Sequence, residues 1–273
     1  MPTTGIESDR ETRSDRGVVE KVQSFIRYTP DGTGLPEGQW TQRHRNIRIS
    51  LALHIPFLIA LGLWEGTDTL ITGATVPSIP TWLVATMGGI TIALLAVASV
   101  PQLPRRWKTA SASMGLMVTS TMLVRFSGGF IEAHFHFFIV MAIIAVYEDW
   151  MPFGLGLVYV AAGHVVFAMI DPANVFNHGP ALSNPWAWSG IHALGILMLT
   201  GALMTNWVSI EKSREQSARR LEQVTAAKDE MADVEEAMAE ADARREEVEE
   251  LNDHLERKAD SFSGTMDRAA DGD

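Results

Sequence analysis

Two histidines stand two residues apart in an otherwise apolar run, Ala133-His134-Phe135-His136-Phe137. Imidazole nitrogens bind transition-metal ions and haem iron, and ionisable side chains at membrane depth are costly enough to mark functional sites. On an α-helix, residues two apart point about 200° away from each other. His134 and His136 therefore cannot close on one small ion from one face, and we expect them to serve two different neighbours.

Three more histidines, His54, His164 and His192, lie in segments apolar enough to cross a membrane. We counted about 1.5 Å per residue from the midpoint of each predicted span. His134, His164 and His192 then lie roughly 6–8 Å to the outer side, His136 lies about 3 Å to that side, and His54 lies near the centre. The sequence therefore predicts an outer group of three histidines and an inner pair, His54 and His136.

The geometry of these histidines favours haem as their ligand. A haem iron takes axial imidazoles from opposite sides of a flat ring, which suits histidines on facing helices in an apolar bundle. The divergence of His134 and His136 argues against one metal site shared by all five. We predict one or two haems of the b type, and the alternative is a three-imidazole copper or zinc site at His134, His164 and His192.

Composition and charge indicate a membrane domain with solvated ends. The chain has 273 residues, is 47% hydrophobic and carries a formal net charge of −11. It contains no cysteine, which excludes thiolate metal sites and disulfides. Residues 46–209 are poor in charge, and we predict an all-α six-helix transmembrane bundle there. The predicted spans are 47–65, 82–100, 107–126, 129–148, 151–170 and 186–209.

Charge around the spans predicts their orientation. The loops expected to face the cytoplasm are the basic ones, so both termini are predicted to be cytoplasmic and the lipid bilayer is a partner of the chain. Residues 1–45 form a polar segment that contains a short amphipathic helix. The apolar positions of that helix are Val18, Val19, Val22, Phe25 and Ile26.

Residues 210–254 are predicted to form a coiled-coil linker. Two seven-residue series run in parallel, three positions apart, which is the pattern of a coiled-coil seam and predicts a homodimer. A single amphipathic helix that docks elsewhere is the alternative. The first series is Val224, Met231, Met238, Arg245, Asn252, Ala259 and Met266, and the second is Ala227, Val234, Ala241, Val248, Leu255 and Phe262.

The His-Phe-His run is similar to the helix of subunit I of the haem-copper oxidases in which two histidines ligate haems. The chain lacks the His-Pro-Glu and His-His motifs that bind copper there, and His178 in the outer loop does not replace them. Reduction of oxygen to water is therefore not expected.

A wider resemblance is to the input domain of haloarchaeal aerotaxis transducers. It rests on the six spans, the runs 128–137 and 147–153, and His164 where such relatives carry paired histidines. Residues 255–273 also resemble the start of a HAMP helix of methyl-accepting chemotaxis transducers. The resemblance implies a haem-based sensor of oxygen or redox state. It also implies chemotaxis kinase and adaptor proteins as partners, reached through a segment expected beyond residue 273.

Other functions are less consistent with the sequence. It has no phosphate-binding glycine loop, nucleophile elbow or kinase signature, and no basic stripe for nucleic acid, so neither an enzyme nor a nucleic-acid-binding protein is expected. A haem protein that transfers electrons or oxidises quinol is the main rival. A membrane anchor that only dimerises a coiled coil is a further one.

Overall fold

The computed structural model describes residue 23, residues 26–67 and residues 75–270, with burial given as far as residue 266. Most of the predicted amphipathic helix near residue 20 lies outside the described residues. The described part is all-α apart from a small antiparallel ribbon, β1 Gly66–Thr67 with β2 Thr75–Val76. The predicted fold class is confirmed. The α-helices are α1 Glu37–Leu63, α2 Thr81–Ser99, α3 Arg105–Phe126, α4 Phe135–Ala145, α5 Trp150–Ile170, α6 Gly179–Ser183 and α7 Pro185–Ala270.

Among the described residues, four helices are long and apolar enough to cross a membrane: α1, α2, α5 and α7. They are largely exposed along these windows, as lipid-facing helices are. The third and fourth predicted spans correspond to α3 and to the apolar helix Glu132–Ala145. Helix α3 is not apolar enough to count as a membrane span, and the helix Glu132–Ala145 is too short. The six-span topology therefore stays a prediction.

Helix α3 is the enclosed helix of the bundle, which explains why it needs no apolar exterior. Its buried positions include small and polar residues, such as Ser113 and Ser120. A Cβ added at Gly115 would lie 2.6 Å from Leu51 Cδ2, so glycine permits the close approach of α1 and α3. Polar residues are tolerated on α3 because protein surrounds it.

Helix α4 begins later than the sequence predicts, because a glycine turn precedes it. Gly128 and Gly129 have φ values of +80° and +77°, a region that favours glycine. A 3₁₀ turn, Glu132–His134, then leads into α4. This start places His134 at the entrance of the helix.

The chain divides into two compact units, Met1–Lys212 and Ser213–Asp273, and α7 contributes to both. In the second unit, every side chain from residue 216 to residue 266 is exposed. The predicted domain boundaries at residues 46, 210 and 255 stay predictions.

Candidate functional site

The structure brings His134, His164 and His192 together from three elements: the 3₁₀ turn before α4, α5 and α7. The ring centroids of His134 and His164 are 5.7 Å apart, those of His134 and His192 are 4.9 Å apart, and those of His164 and His192 are 5.4 Å apart. We call these three residues the outer triad.

Each imidazole of the outer triad is oriented by a backbone carbonyl of its own segment of the chain. The Nδ1 atom lies within hydrogen-bonding distance of the backbone carbonyl four residues earlier, at 3.1 Å for His134, 2.9 Å for His164 and 2.7 Å for His192. A carbonyl oxygen only accepts, so Nδ1 donates, and a neutral ring then carries its lone pair on Nε2. The Nε2 atoms of His134 and His164 are buried without a hydrogen-bond partner.

This arrangement leaves ring nitrogens free to bind a ligand. Ligating histidines usually donate their other ring N–H to a carbonyl or carboxylate, which fixes the tautomer and the ring orientation. A buried polar atom without a partner is also uncommon in folded proteins. Two such lone pairs in apolar surroundings are therefore available to a ligand.

The loop between α5 and α7 covers the outer triad. The Phe176 ring stacks on His134 with centroids 5.8 Å apart and planes 10° apart, and it lies 5.8 Å from the His192 ring. His178 packs edge-on against Trp188 at 4.4 Å, and both of its ring nitrogens are buried without a partner. Sequence reasoning missed Phe176 and His178 as neighbours of the site. No pattern in the sequence indicates these contacts, because they depend on how the loop folds back.

A cavity of about 330 Å³ borders both His134 and His164. Its wall is mainly apolar and also includes Arg125. Tyr159 and Thr121, also in the wall, bond to each other through their hydroxyls at 2.9 Å. The Nε2 lone pairs therefore adjoin a space of the size that small molecules occupy in proteins.

His54 and His136 also lie together, deeper along α1 and α4. Their Nε2 atoms are 3.0 Å apart, His136 Nδ1 is 2.9 Å from Ser120 Oγ, and His54 Nδ1 is 2.6 Å from the carbonyl oxygen of Ser50. The carbonyl makes His54 Nδ1 a donor, so His136 Nε2 donates to His54 Nε2 and Ser120 donates to His136. The pair thus satisfies its own hydrogen bonds, and a second haem there stays a prediction.

The predicted three-imidazole copper or zinc site gains no support. Across residues 23, 26–67 and 75–270, no group of three or more histidine, aspartate or glutamate side chains could hold a metal ion directly. The outer triad gathers three rings, but their ligating nitrogens do not form a ready coordination set.

Helix α7 contacts α4 and the 3₁₀ turn before it at three levels. At the outer end His134 meets His192. Further in, a Cβ added at Gly195 would lie 3.0 Å from Phe138, so the helices approach closely there. At the inner end, Trp207 Nε1 donates to the carbonyl oxygen of Ala145 at 3.1 Å. The two helices therefore run in the same direction, from the outer triad to the inner end of α4.

The turn after α4 is bound tightly to α1 and to the segment before it. Arg43 donates to the carbonyl oxygen of Val146 at 2.7 Å and forms an ion pair with Glu148 at 2.6 Å. The Gly32 N–H donates to the Glu148 carbonyl at 2.9 Å. Glu148 itself has a φ of 49°, an uncommon conformation for a residue with a side chain. The segment 147–153, on which the resemblance to transducers partly rests, therefore begins in a turn that is bonded to other parts of the chain.

His44 belongs to the same turn region and has a structural role. Its Nδ1 accepts from the Tyr147 hydroxyl at 2.8 Å, and its Nε2 donates to the Ala98 carbonyl at 2.9 Å. Trp40 stacks on its ring at 4.8 Å. Both nitrogens are satisfied, which separates His44 from the outer triad.

Two carboxyl groups at this turn have pKa values shifted in opposite directions. Hydrogen bonds from the Thr33 hydroxyl and backbone N–H lower the pKa of Asp31. Burial raises the pKa of Asp149, although its carboxylate caps α5 by accepting from the Met151 N–H at 3.0 Å. The pKa of Asp31 is thus set by local hydrogen bonds, and that of Asp149 by its burial.

Comparison with known proteins adds one match. The chain is 48% identical over 278 aligned residues to Transducer protein Htr8 of Halobacterium salinarum (strain ATCC 29341 / DSM 671 / R1). This chain is a relative of a haloarchaeal transducer. The alignment covers 94% of this chain but only 43% of that transducer, so the chain spans less than half of its relative's length. No family model and no solved structure matches.

The match confirms the resemblance to haloarchaeal transducers that the sequence predicts. The aligned stretch is long enough to include the outer triad and most of α7. The name of the relative says nothing about a cofactor, so haem and the histidine pairing stay predictions.

Proposed function

We propose that this chain is the membrane sensory part of a chemotaxis transducer, and that the outer triad holds a haem through which it responds to oxygen or redox state. The observation that carries the proposal is the pair of buried, unpartnered Nε2 atoms on His134 and His164. The relationship to a haloarchaeal transducer supports the signalling role.

Several residues around the cavity support the proposal of a haem. His134 and His164 adjoin the same cavity of about 330 Å³, and both offer an Nε2 lone pair. Arg125 in the cavity wall is a cation suited to a propionate, and Phe137 and Phe167 supply apolar wall. Bound haem would supply an iron that takes up oxygen or an electron. The second predicted pair, His54 and His136, would hold a further haem only if their mutual hydrogen bond opened.

The chain's own part is to connect this site to the output helix. His192 is on α7, in contact with His134, and α7 continues as one helix to residue 270. A shift of His192 would move α7 if the bundle has two packings whose populations the ligand changes. A preference of a few kcal/mol between the two packings is sufficient.

Two other functions have weaker support. Electron transfer or quinol oxidation would explain the histidines but not a helix of exposed residues with a seven-residue pattern. A copper or zinc sensor is favoured by the third imidazole of the outer triad. It is disfavoured because no three such side chains in the described residues are placed to hold a metal ion.

The partners belong to the proposal as well. We propose a homodimer through residues 210–254 and a HAMP-like helix from residue 255. Kinase and adaptor proteins of chemotaxis would be reached through sequence that this chain does not include. Both termini of the chain are proposed to be cytoplasmic, with six spans between them.

The test is the haem content of the purified full chain, measured by the pyridine haemochrome assay after expression with added haem precursor. We expect stoichiometric haem. His134→Ala and His192→Ala should each lose most of it, because each removes an imidazole of the outer triad. His254→Ala is the matched control, since His254 is exposed in the second unit.

If the purified protein is folded but colourless and holds stoichiometric copper or zinc, the result would contradict a haem and favour a metal sensor. Equal haem content in the His134, His192 and His254 variants would show that the cofactor does not bind at the outer triad.

A further inference from the structure

A second cavity, of about 500 Å³, lies between α5 and α7. It adjoins the outer triad, because His164 is part of its wall. Its lining is almost wholly apolar, and Ser189 is one of few polar residues in it. Trp186, Val158 and Leu197 in the lining are 57%, 66% and 63% exposed, so this side of the unit faces lipid. A ligand would therefore enter this cavity from the bilayer.

Ser189 is buried, with 8% of its surface exposed, and its hydroxyl has no hydrogen-bond partner. Serine and threonine inside helices commonly donate to the carbonyl four residues earlier. Thr200 and Thr205 of α7 do so, both at 2.7 Å. Ser189 does not, so a hydroxyl donor in an apolar, lipid-side cavity lacks an acceptor.

We propose that this cavity binds a membrane quinone, with one ring carbonyl accepting a hydrogen bond from Ser189. The volume lies in the range of small-molecule sites, which are mostly apolar with a few polar groups that fix orientation. A quinone combines a carbonyl acceptor with a flat apolar ring and an apolar tail, and it dissolves in the bilayer.

The position beside the outer triad favours a quinone over other lipid carbonyls. His164 borders both this cavity and the cavity of about 330 Å³. A redox-active lipid here would share a histidine with the proposed cofactor site, so its occupancy could set the state that the sensor reads. That role and the preference for a quinone over other lipid carbonyls rest on the proposed function, whereas the unpaired Ser189 hydroxyl and the cavity do not.

Binding is tested on the full chain in nanodiscs of one defined phospholipid, with 2-methyl-1,4-naphthoquinone as the probe. Equilibrium dialysis against protein-free nanodiscs separates specific binding from partition into lipid. We expect saturable binding at one site per chain. Ser189→Ala should weaken it about three- to tenfold, the usual effect of one hydrogen bond.

Ala193→Phe and Leu194→Phe form a matched pair. Ala193 lines the cavity, whereas Leu194 does not line it and is 60% exposed. Phenylalanine at residue 193 should abolish binding by filling the space, and phenylalanine at residue 194 should leave binding unchanged. Circular dichroism of both variants checks that they fold.

Three outcomes would overturn the inference: no excess over protein-free nanodiscs, equal affinity in the wild type and the Ser189→Ala and Ala193→Phe variants, or a co-purifying phospholipid that the quinone does not displace. Haem content measured in the same samples keeps the two proposals apart. Haem without quinone binding refutes only the quinone site, and quinone binding without haem refutes only the cofactor proposal.

Discussion

Glu148 combines a side chain that forms an ion pair with a backbone conformation that favours glycine. Its φ of 49° favours glycine, while its carboxylate holds Arg43 at 2.6 Å. Glu148→Gly and Glu148→Ala both remove the ion pair, but only glycine adopts this φ at no steric cost. We expect the alanine variant to be less stable than the glycine variant by about 1 kcal/mol.

Thermal unfolding of the two variants in one detergent measures this difference. Equal midpoints would show that the conformation at residue 148 relaxes once the ion pair is gone.

Asp149 gives a prediction on pH. Burial raises its pKa, so its contribution to stability is complete below its unfolded pKa and is lost as pH rises through the folded value. The asparagine of the Asp149→Asn variant keeps an oxygen that can accept from Met151 but has no charge to bury. We expect this variant to be the more stable protein near pH 7 and to lose that advantage below about pH 4.

Unfolding midpoints from pH 3 to pH 7 check the sign of the difference between the variant and wild type. A variant that is less stable than wild type at pH 7 would show that the charge of Asp149, with Arg105 and Arg106 nearby, is favourable overall.

The sequence predicted which histidines lie together, but it did not predict which other residues surround them. Depth along each span, counted from the sequence, placed His134, His164 and His192 at one level, and the structure has them in contact. The cover by Phe176 and His178 was not predictable, because it depends on how a loop folds back. Whether His164 and His192 both ligate a cofactor stays a prediction.

At the scale of elements, Trp207 is the contact that joins α7 to the inner end of α4. Trp207→Phe removes the N–H that donates to Ala145 but keeps a ring against Phe153, whose centroid lies 5.1 Å away. We expect stability to fall by about 1 kcal/mol, with haem content unchanged. Any difference in coil crosslinking between oxygenated and oxygen-free samples should shrink.

Trp107→Phe is the control, because Trp107 is exposed on α3 and does not line the cavity beside the outer triad. If Trp207→Phe leaves the oxygen dependence of crosslinking intact, the route from the outer triad to the coil does not pass through this contact.

Helix packing gives a second prediction at this scale. A Cβ at Gly115 would lie 2.6 Å from Leu51, whereas one at Gly89 would meet nothing within 4 Å. Gly115→Ala should therefore destabilise the bundle by about 1–3 kcal/mol through overpacking. Gly89→Ala should be neutral or stabilise it by up to about 1 kcal/mol, because alanine favours helix.

Both changes are measured by thermal unfolding of the membrane unit within the full chain. A Gly115→Ala variant as stable as Gly89→Ala would mean that α1 and α3 separate at little cost.

The helices also show which features of the fold hydropathy does not predict. Hydropathy and length mark α1, α2, α5 and α7 as able to cross a membrane, and these windows are largely exposed in the structure. Hydropathy is a poor guide to α3, whose surroundings are protein, and to α4, whose start is set by the turn at Gly128 and Gly129. A helix enclosed by other helices is free of the length and apolarity that lipid demands.

At the scale of the whole molecule, the exposed seam of the second unit predicts assembly. Val234 and Val248 are 53% and 58% exposed, although both occupy seam positions of the seven-residue pattern. We expect a parallel dimer through this seam, weak because alanine, Arg245 and Asn252 interrupt it. Single cysteines at residues 234 and 248 should crosslink between chains, at rates that differ with and without oxygen.

The chain has no cysteine of its own, so each crosslink has one source. A cysteine at residue 236, outside both series, is the control. Rates that are equal in both conditions at each seam position would favour electron transfer over signalling.

The bonded turn after α4 also dictates an order of assembly during synthesis. Arg43 pairs with Glu148, 105 residues later in the chain, and the Trp150 N–H donates to the carbonyl oxygen of Pro30. At roughly 5–20 residues per second, a ribosome needs about 5–20 s to make that intervening chain. During that time Arg43 and His44 are without their final partners, so the inner end of α1 stays open until α4 has been translated and inserted. An arrest of translation before residue 148 should leave this end accessible to a protease added on the cytoplasmic side.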